Sequence, residues 1–237
     1  MIDFHTHILP GIDDGSYSIR MTEEMLRLQK EMGVTTVCAT PHFYAHRTSV
    51  DQFLERLEAS YQKVKELYEE KGEENFPEII CGAEAAYFTG MGRAGQLKEL
   101  CYQGTGTLLI EMPFEQWNEY VLQDIEDILY RQKLDIVLAH TERYISLQRN
   151  KKILNQILSL PLTLQVNAGS LIAGGHRRRA AIKILKGADR SLLGSDCHNL
   201  DTRRPNVAAG YEIVAGKLGE RYVEEAERVG KEMLSLL

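Results

Sequence analysis

Short apolar runs alternate along the chain with longer stretches whose apolar positions recur every three to four residues. The first run, Ile2 to Phe4, is followed by a helical pattern with Met21, Met25, Leu28 and Met32 on one face and Gly33 as its stop. The second run, Val34 to Thr40, is rich in β-formers and ends at Pro41. Val50, Phe53, Leu54, Leu57, Tyr61, Val64 and Tyr68 then predict a long amphipathic helix. Glu78 to Cys81 and Thr107 to Ile110 are the third and fourth runs, and Val121, Leu122, Ile125, Ile128 and Leu129 mark another helix. Asp135 to Ala139, Leu162 to Val166 and Ser191 to Gly194 complete the set of runs. Two helical patterns, roughly 205–217 and 220–235, close the chain.

Strands alternating with helices imply parallel βαβ units. Seven such units in 237 residues fit a closed or nearly closed α/β barrel better than an open sheet. A polar, metal-capable residue stands just past each run: His5, His42, Glu84, Glu111, His140, Asn167 and Asp196. Their spacings are 37, 42, 27, 29, 27 and 29 residues, suitable lengths for a βα repeat. In a parallel barrel the C-terminal strand ends converge on one rim, and that rim holds the active site.

Composition narrows the classes. The 28 Lys and Arg stand against 34 Asp and Glu, a net charge of −6, with 43% apolar residues. This excludes a disordered chain and disfavours a nucleic-acid binder that relies on a general basic field. Cys38, Cys81, Cys101 and Cys197 form no C-x-x-C pair and read as buried thiols in a reducing compartment. The N-terminus MIDFHTHILP lacks the basic and apolar regions of a secretory signal. The longest uncharged stretch, Ile153 to Gly175, carries too many polar residues and glycines for a membrane span and reads as a helix end, a strand and a loop. The expected location is cytoplasmic.

The chemistry begins with His5-Thr6-His7. Residues i and i+2 of an extended segment project to one side, so two imidazoles can share a cation. Five of the seven histidines (His5, His7, His42, His140 and His198) fall at strand ends, a concentration that scattered surface positions do not predict. His46 and His176 read as surface residues in polar loops. Asp196-Cys197-His198 repeats the period of two. Asp13-Asp14-Gly15 is either an Asx turn or a source of a carboxylate ligand. Imidazole and carboxylate donors without thiolate suit Mn, Fe or catalytic Zn. About nine donors are too many for one ion, so two or three metals sharing carboxylates are expected. Arg143, Arg203 and Arg204 lie just beyond these strand ends, and guanidinium forks match phosphoryl oxygens. The substrate is therefore expected to be anionic and phosphorylated.

Cys197 to Arg203 also fits C-x5-R, the spacing of cysteine-dependent tyrosine phosphatases. This copy has no glycine in the loop, and Asp196 and Asp201 would repel a phosphate and raise the thiol pKa. The match is read as coincidence.

Together, His-x-His near the N-terminus, Pro41-His42, Glu84, Glu111, His140 and Asp196-x-His198 resemble the polymerase and histidinol phosphatase (PHP) superfamily. I-D-F-H-T-H-I with D-D-G, A-H-T-E-R-Y, Q-V-N and S-D-C-H-N-L-D resemble more specifically the manganese-dependent protein-tyrosine phosphatases of bacterial capsule and exopolysaccharide loci. The resemblance covers nearly the whole chain and implies a distorted (β/α)7 TIM-like barrel, the PHP fold, as a single domain over 1–237.

It also implies three Mn2+ ions, with Fe or Zn as the alternatives. One would take His5, His7, Glu84 and Asp196. A second would take Glu84, Glu111 and His140, and a third Asp14, His42 and His198. Arg143 and Arg203 match the family's phosphate-contacting arginines, with Arg204 adjacent. The reaction implied is phosphotyrosine hydrolysis by a metal-activated hydroxide, with His42 or Asp14 among the groups able to protonate the leaving phenolate. The partner implied is a bacterial tyrosine autokinase of polysaccharide export. The alternatives are a PHP phosphatase of a small phosphomonoester such as histidinol phosphate, and a PHP-like scaffold that binds a partner without turnover. Residues 85–106 match no motif and are expected to shape the mouth of the site.

Overall fold

The computed structural model describes residues 1–235. Seven parallel strand positions alternate with helices, and two of the positions are broken, giving nine strands. They are β1 (Ile2–Thr6), β2 (Thr36–Ala39), β3 (His42–Phe43), β4 (Glu78–Cys81), β5 (Glu84–Ala86), β6 (Thr107–Glu111), β7 (Asp135–Leu138), β8 (Thr163–Asn167) and β9 (Ser191–Gly194). The helices are α1 (Ile19–Glu31), α2 (Val50–Lys71), α3 (Glu119–Glu126), α4 (Lys151–Leu158), α5 (Ala168–Ala173), α6 (Gly175–Gly187), α7 (Val207–Leu218) and α8 (Glu220–Met233).

One sheet runs β1-β2-β4 and the other β3-β5-β6-β7-β8-β9. The breaks separate β2 from β3 at Pro41, which lacks an N–H for the ladder, and β4 from β5 at Gly82-Ala83. The ladder is carried across them by Gly82 N–H to the Ala39 carbonyl, 2.9 Å, and Glu84 N–H to the Pro41 carbonyl, 3.1 Å. A Cβ at Gly82 would sit 3.2 Å from Tyr102 Cα, so a side chain is disfavoured at this bend. The ring is completed at its C-terminal rim. Asp196 N–H donates to the His5 carbonyl at 2.7 Å and His7 N–H to the Cys197 carbonyl at 2.9 Å. The fold is therefore a distorted seven-position β/α barrel, as the alternation predicts.

Two apolar clusters hold it. The smaller draws Phe4, Cys38, Ile80, Leu109, Val137 and Leu192 from six strands and so fills the space they enclose. Val229 of α8 joins it, and α8 approaches β1 so closely that a Cβ on Gly230 would fall 1.9 Å from Phe4 Cζ. The larger cluster lies between strands and the surrounding helices.

The helices differ from the pattern in instructive places. Of the four methionine and leucine positions on the predicted face of α1, only Met25 is buried; Thr22, Leu26 and Gln29 complete the inward face. Thr22 donates to the Ile8 carbonyl at 2.6 Å and Gln29 Nε2 to Asp3 Oδ2 at 2.6 Å, so the hydroxyl and the amide NH2 go inside because they find acceptors there. The stretch after β8, read as a loop, forms α5, and His176 lies on the first turn of α6 rather than in a loop. Residues 85–106 pack against α3, where the Asp124 carboxylate accepts from Tyr87 Oη, Gly90 N–H and Gly92 N–H. Met91, Leu97 and Leu100 there are buried in the core. No helix among the described residues is long and apolar enough to cross a membrane.

Candidate metal centre

The strand ends, with Asp14 from the loop after β1, bring nine predicted donors into one contiguous cluster. His5 ends β1 and His7 follows it; His42 opens β3, Glu84 opens β5 and Glu111 ends β6. His140, Asp196 and His198 lie just past β7 and β9. Three groups have ligand atoms that all lie within 4.8 Å of one another: His5, His7 and Asp196; His7, Asp14, His42 and His198; and His42, Glu84 and Glu111. This differs in detail from the division the resemblance implies. His7 reaches the group of Asp14 as well as that of Asp196, and His42 reaches Glu84 and Glu111. Glu84 is at the middle of everything. Its Oε1 lies 3.0 Å from His140 Nε2, and its Oε2 lies 2.8 Å from His42 Nδ1, 3.3 Å from His5 Nε2 and 3.4 Å from His7 Nε2. His140 Nε2 is also 3.6 Å from Glu111 Oε1.

Hydrogen bonds behind the imidazoles decide which nitrogen faces the cluster. Gln165 Oε1 accepts from His5 Nδ1 at 3.1 Å, Asp13 Oδ2 from His7 Nδ1 at 2.6 Å, and the Asp196 carbonyl from His198 Nδ1 at 3.0 Å. Each acceptor takes the Nδ1 proton in a hydrogen bond and turns Nε2 toward the cluster, where it pairs with carboxylates when protonated and offers its lone pair to a cation when not. His140 Nδ1 pairs with Tyr144 Oη at 3.0 Å, and that oxygen also accepts from Met112 N–H. Asp13 does more than turn the loop. Its two oxygens accept from Gly15 N–H and His42 N–H, fixing the His7 and His42 segments to each other. Asp13 therefore supports a ligand, whereas Asp14, with its side chain 68% exposed, reaches His42 Nε2 and His198 Nε2 at 3.5 Å each.

Charge follows this geometry. Burial raises a carboxyl, but the hydrogen bond and charge of His7 overcome it and hold Asp13 below the usual carboxylate range. Glu84 and Asp196 are likewise held well below it despite burial, chiefly by the His5 charge. Burial disfavours an imidazolium at His140, yet the hydrogen bonds it donates to Glu111 and Glu84 lift it to about 9. Burial takes His198 down to about 4, assisted by the charges of His7 and Arg203, so it stays a neutral, lone-pair-bearing ring.

A cation fits this donor set. Three of the six buried side-chain N and O atoms without a hydrogen-bond partner among the described residues belong to it: His42 Nδ1, Glu84 Oε2 and His198 Nε2. The first two lie 2.8 Å apart yet do not hydrogen-bond to each other. Unsatisfied buried acceptors are costly, and a divalent ion satisfies several lone pairs at once. The donors are hard or borderline, nitrogen and oxygen only, which suits Mn, Fe or Zn. Two residues of the set sit in left-handed backbone, His140 at φ 29° and Asp196 at φ 53°. For non-glycine residues such strain concentrates at functional sites.

Arg143 and Arg203 meet on Asp196, each at a different carboxylate oxygen. Arg143 Nη2 donates to Oδ2 at 2.7 Å and Arg203 Nη2 to Oδ1 at 2.6 Å, and Asn167 Nδ2 adds a third bond at 2.8 Å. Each guanidinium is 38% exposed and uses a single nitrogen in this contact, leaving other N–H donors for an anion. Arg204 is exposed and lies outside this arrangement. Both arginines wall a cleft of about 770 Å³, to which residues 85–106 contribute nothing.

Sequence reasoning missed Gln165 and Tyr144 as supports. The signal was available for Gln165: it stands two residues before Asn167 on β8, the same period of two that marks His5 and His7. Its Nε2 donates to Asn167 Oδ1 at 2.8 Å, so an amide chain links His5 to Asp196.

Cys197 is fully buried and its thiol lies 4.0 Å from Gln29 Nε2, behind the cluster. Burial and the Asp3 charge push that thiol far up, the reverse of what a nucleophile needs. Cys197→Ala should therefore keep turnover and metal content near those of the unaltered protein. Lost turnover with unchanged metal would revive a thiol mechanism.

Comparison with known proteins agrees with this geometry. The family described as capsular polysaccharide synthesis, CpsB/CapC, matches residues 1–231. Tyrosine-protein phosphatase YwqE of Bacillus subtilis (strain 168) is 27% identical over 92% of this chain and 85% of its own. Tyrosine-protein phosphatase CpsB of Streptococcus pneumoniae is 26% identical over 95% of this chain and 94% of its own. A crystal structure from work on YwqE and CpsB, described as unique metal-dependent tyrosine phosphatases, superposes with a TM-score of 0.80 at 24% identity, covering 99% of this chain and 94% of that one. An organophosphorus hydrolase variant from Deinococcus radiodurans shares the fold more distantly, with a TM-score of 0.54 at 12% identity over 98% of this chain and 92% of that one.

Proposed function

Because the chain belongs to the CpsB/CapC family of capsular polysaccharide synthesis, we propose that it is a metal-dependent protein-tyrosine phosphatase acting in capsule or exopolysaccharide synthesis. The observation that carries this reading is the pair of arginines held by Asp196 beside a cluster of eight imidazole and carboxylate donors, joined by His140 through Glu84 and Glu111. The residues 1–237 act as a single PHP domain.

Three ions, Mn2+ by preference with Fe or Zn as alternatives, would be held by His5, His7, Asp14, His42, Glu84, Glu111, His140, Asp196 and His198, with Glu84 shared. When bound, they supply Lewis-acid charge that acidifies water and neutralises the phosphoryl group. The chain does the rest. Arg143 and Arg203, anchored through one nitrogen each, turn their remaining donors to the phosphoryl oxygens and stabilise the charge spread over them in the transition state. Gln165, Asp13 and the Asp196 carbonyl keep the three imidazole lone pairs aimed inward, so no reorganisation is needed when substrate arrives. Tyr44, which stacks on His42 at 5.2 Å, and Phe114, which stacks on His140 at 5.8 Å, give the mouth aromatic walls suited to a phenyl ring. Phenolate leaves readily, so the demand for an acid is modest; Asp14 and His42 stand at the mouth to meet it.

The substrate we assign is a phosphotyrosine protein, in particular a tyrosine autokinase of polysaccharide export. Four free, buried thiols favour the cytoplasm as the place of action. Turnover of a phosphotyrosine peptide compared with histidinol phosphate tests the assignment. The peptide should be the better substrate by kcat/KM, and a clear preference for histidinol phosphate would overturn it.

A further inference from the structure

The chain is acidic overall, yet one stretch beside the site carries a positive excess. Between residues 170 and 219 there are nine Lys and Arg against four Asp and Glu, in a chain whose total is −6. Most of that charge is on α6, which begins Gly-His-Arg-Arg-Arg and continues to Lys183 and Lys186. The helix presents its cations to two adjoining hollows. His176 and Arg177 line the same cleft as Arg143 and Arg203. One position further on, Arg178 and Arg179 line a second groove of about 450 Å³ with Lys183, Lys186 and Lys217 of α7, and no carboxylate lines it.

These cations are not occupied within the fold. Among the described ion pairs Arg190 and Arg203 have partners, whereas Arg177, Arg179, Lys183, Lys186 and Lys217 have none. Arg177, Arg179, Lys183 and Lys186 are exposed. Arg178 differs, since its guanidinium donates to the Leu171 and Ile172 carbonyls and ties α5 to α6. An isolated row of like charges destabilises a helix by self-repulsion, so an anionic partner relieves a cost that the free protein carries. The cleft holds one more unmet group: the Asn206 side-chain oxygen is buried, lacks a hydrogen-bond partner and lines the wall shared with Arg177. An acceptor there suits the backbone N–H of a peptide, which a phosphate ion alone does not offer.

We propose that α6 is a docking face for an acidic segment of the phosphoprotein substrate, which runs from the arginine-lined cleft across Arg177 into the basic groove. The proposal rests on the phosphatase reading above and extends it from the phosphorylated side chain to the residues around it. From Arg177 to Lys186 the helix rises about 13 Å, a span that an extended peptide covers in about four residues. Acidic or further phosphorylated residues within that reach of the phosphotyrosine are the ones recognised. Continuity with the catalytic cleft favours a peptide over a lipid surface.

The test uses the full, metal-loaded chain and three probes: 4-nitrophenyl phosphate, a phosphotyrosine peptide flanked by Glu on each side, and the same peptide flanked by Gln. The Glu peptide should show a KM lower by roughly tenfold, because several exposed ion pairs each add a little, and the advantage should fade with added salt. The variant Arg179→Glu/Lys183→Glu/Lys186→Glu changes exposed residues only. It should erase the Glu advantage through KM while leaving 4-nitrophenyl phosphate turnover and kcat unchanged. Equal KM values for the two peptides, or a Glu advantage that survives the charge reversal, overturns the proposal. So does a face that binds phosphatidylglycerol vesicles through these residues without distinguishing the peptides, which would make it a membrane surface. Loss of all three activities in the unaltered protein would instead sink the phosphatase reading itself.

Discussion

Glu84→Gln is expected to reduce phosphotyrosine turnover by on the order of a thousandfold, the upper range for removing one preorganised charged group from an active site, and to strip the protein of most of its bound cation. The side chain keeps its size, so the effect isolates charge from packing. Glu84 is fully buried, and its two oxygens lie within 3.4 Å of His5, His7, His42 and His140. A glutamine amide can present an oxygen to one side of this cluster, but its NH2 then points at imidazole lone pairs that are meant for a cation. Metal content by elemental analysis and kcat on a phosphotyrosine peptide check it together. Full metal content with turnover within tenfold of the unaltered enzyme would mean that the Glu84 charge is needed neither to hold the cation nor for the reaction.

Arg203→Ala and Arg143→Ala should act at a different point. Each is expected to cost roughly 10²–10³ in kcat/KM, the size of effect seen when one donor to a developing oxyanion is lost, while metal content stays unchanged. The double variant should lose less than the product of the two, because both guanidiniums rest on the same Asp196 carboxylate and are not independent. Lysine at either position should restore little, since an ammonium cannot hold Asp196 with one nitrogen and a phosphoryl oxygen with another. Arg204→Ala, at an exposed position with no part in this clamp, serves as the control. If Arg204 proved the costly position and Arg203 the silent one, the account of the anion site would be wrong. Loss of metal from the Arg143 or Arg203 variant would show instead that the arginines chiefly hold Asp196 in place.

Much of this was legible in the sequence because the barrel writes its repeat into the chain. Each strand contributes a short apolar run and, at its C-terminal end, one residue that faces the rim. A spacing near 28 residues therefore marks β5 through β9, while the longer intervals before them accommodate α1 and α2. The breaks at Pro41 and at Gly82-Ala83 were harder to see, since hydropathy does not reveal that a strand stops pairing and restarts one residue pair later. The inward face of α1 departs from the apolar pattern because Thr22 and Gln29 are polar by type yet bond inside, Thr22 to the Ile8 carbonyl and Gln29 through its amide NH2 to Asp3. Helix α5 is six residues long and uncharged, too short to show a period. His176 read as a loop residue because the glycines before it looked like punctuation, whereas Gly174 and Gly175, both at positive φ, are the corner from which α6 starts.

In the site, the ligand types were readable one by one, but their supports were not. Gln165 and Tyr144 are ordinary strand and turn residues until the fold sets them against His5 and His140. Asp13 and Asp14 are identical in composition and adjacent, and only the loop geometry assigns one to His7 from behind and turns the other outward toward His42 and His198.

The central claim is that this chain hydrolyses phosphotyrosine through cations held by that cluster. Its most direct test is elemental analysis of the purified protein coupled to removal and return of metal, with a phosphotyrosine peptide as substrate. The expected result is about two to three divalent ions per chain, the number that three overlapping donor groups can accommodate, loss of turnover on chelation, and recovery on adding Mn2+. Undiminished hydrolysis by protein verified to be free of metal would contradict it.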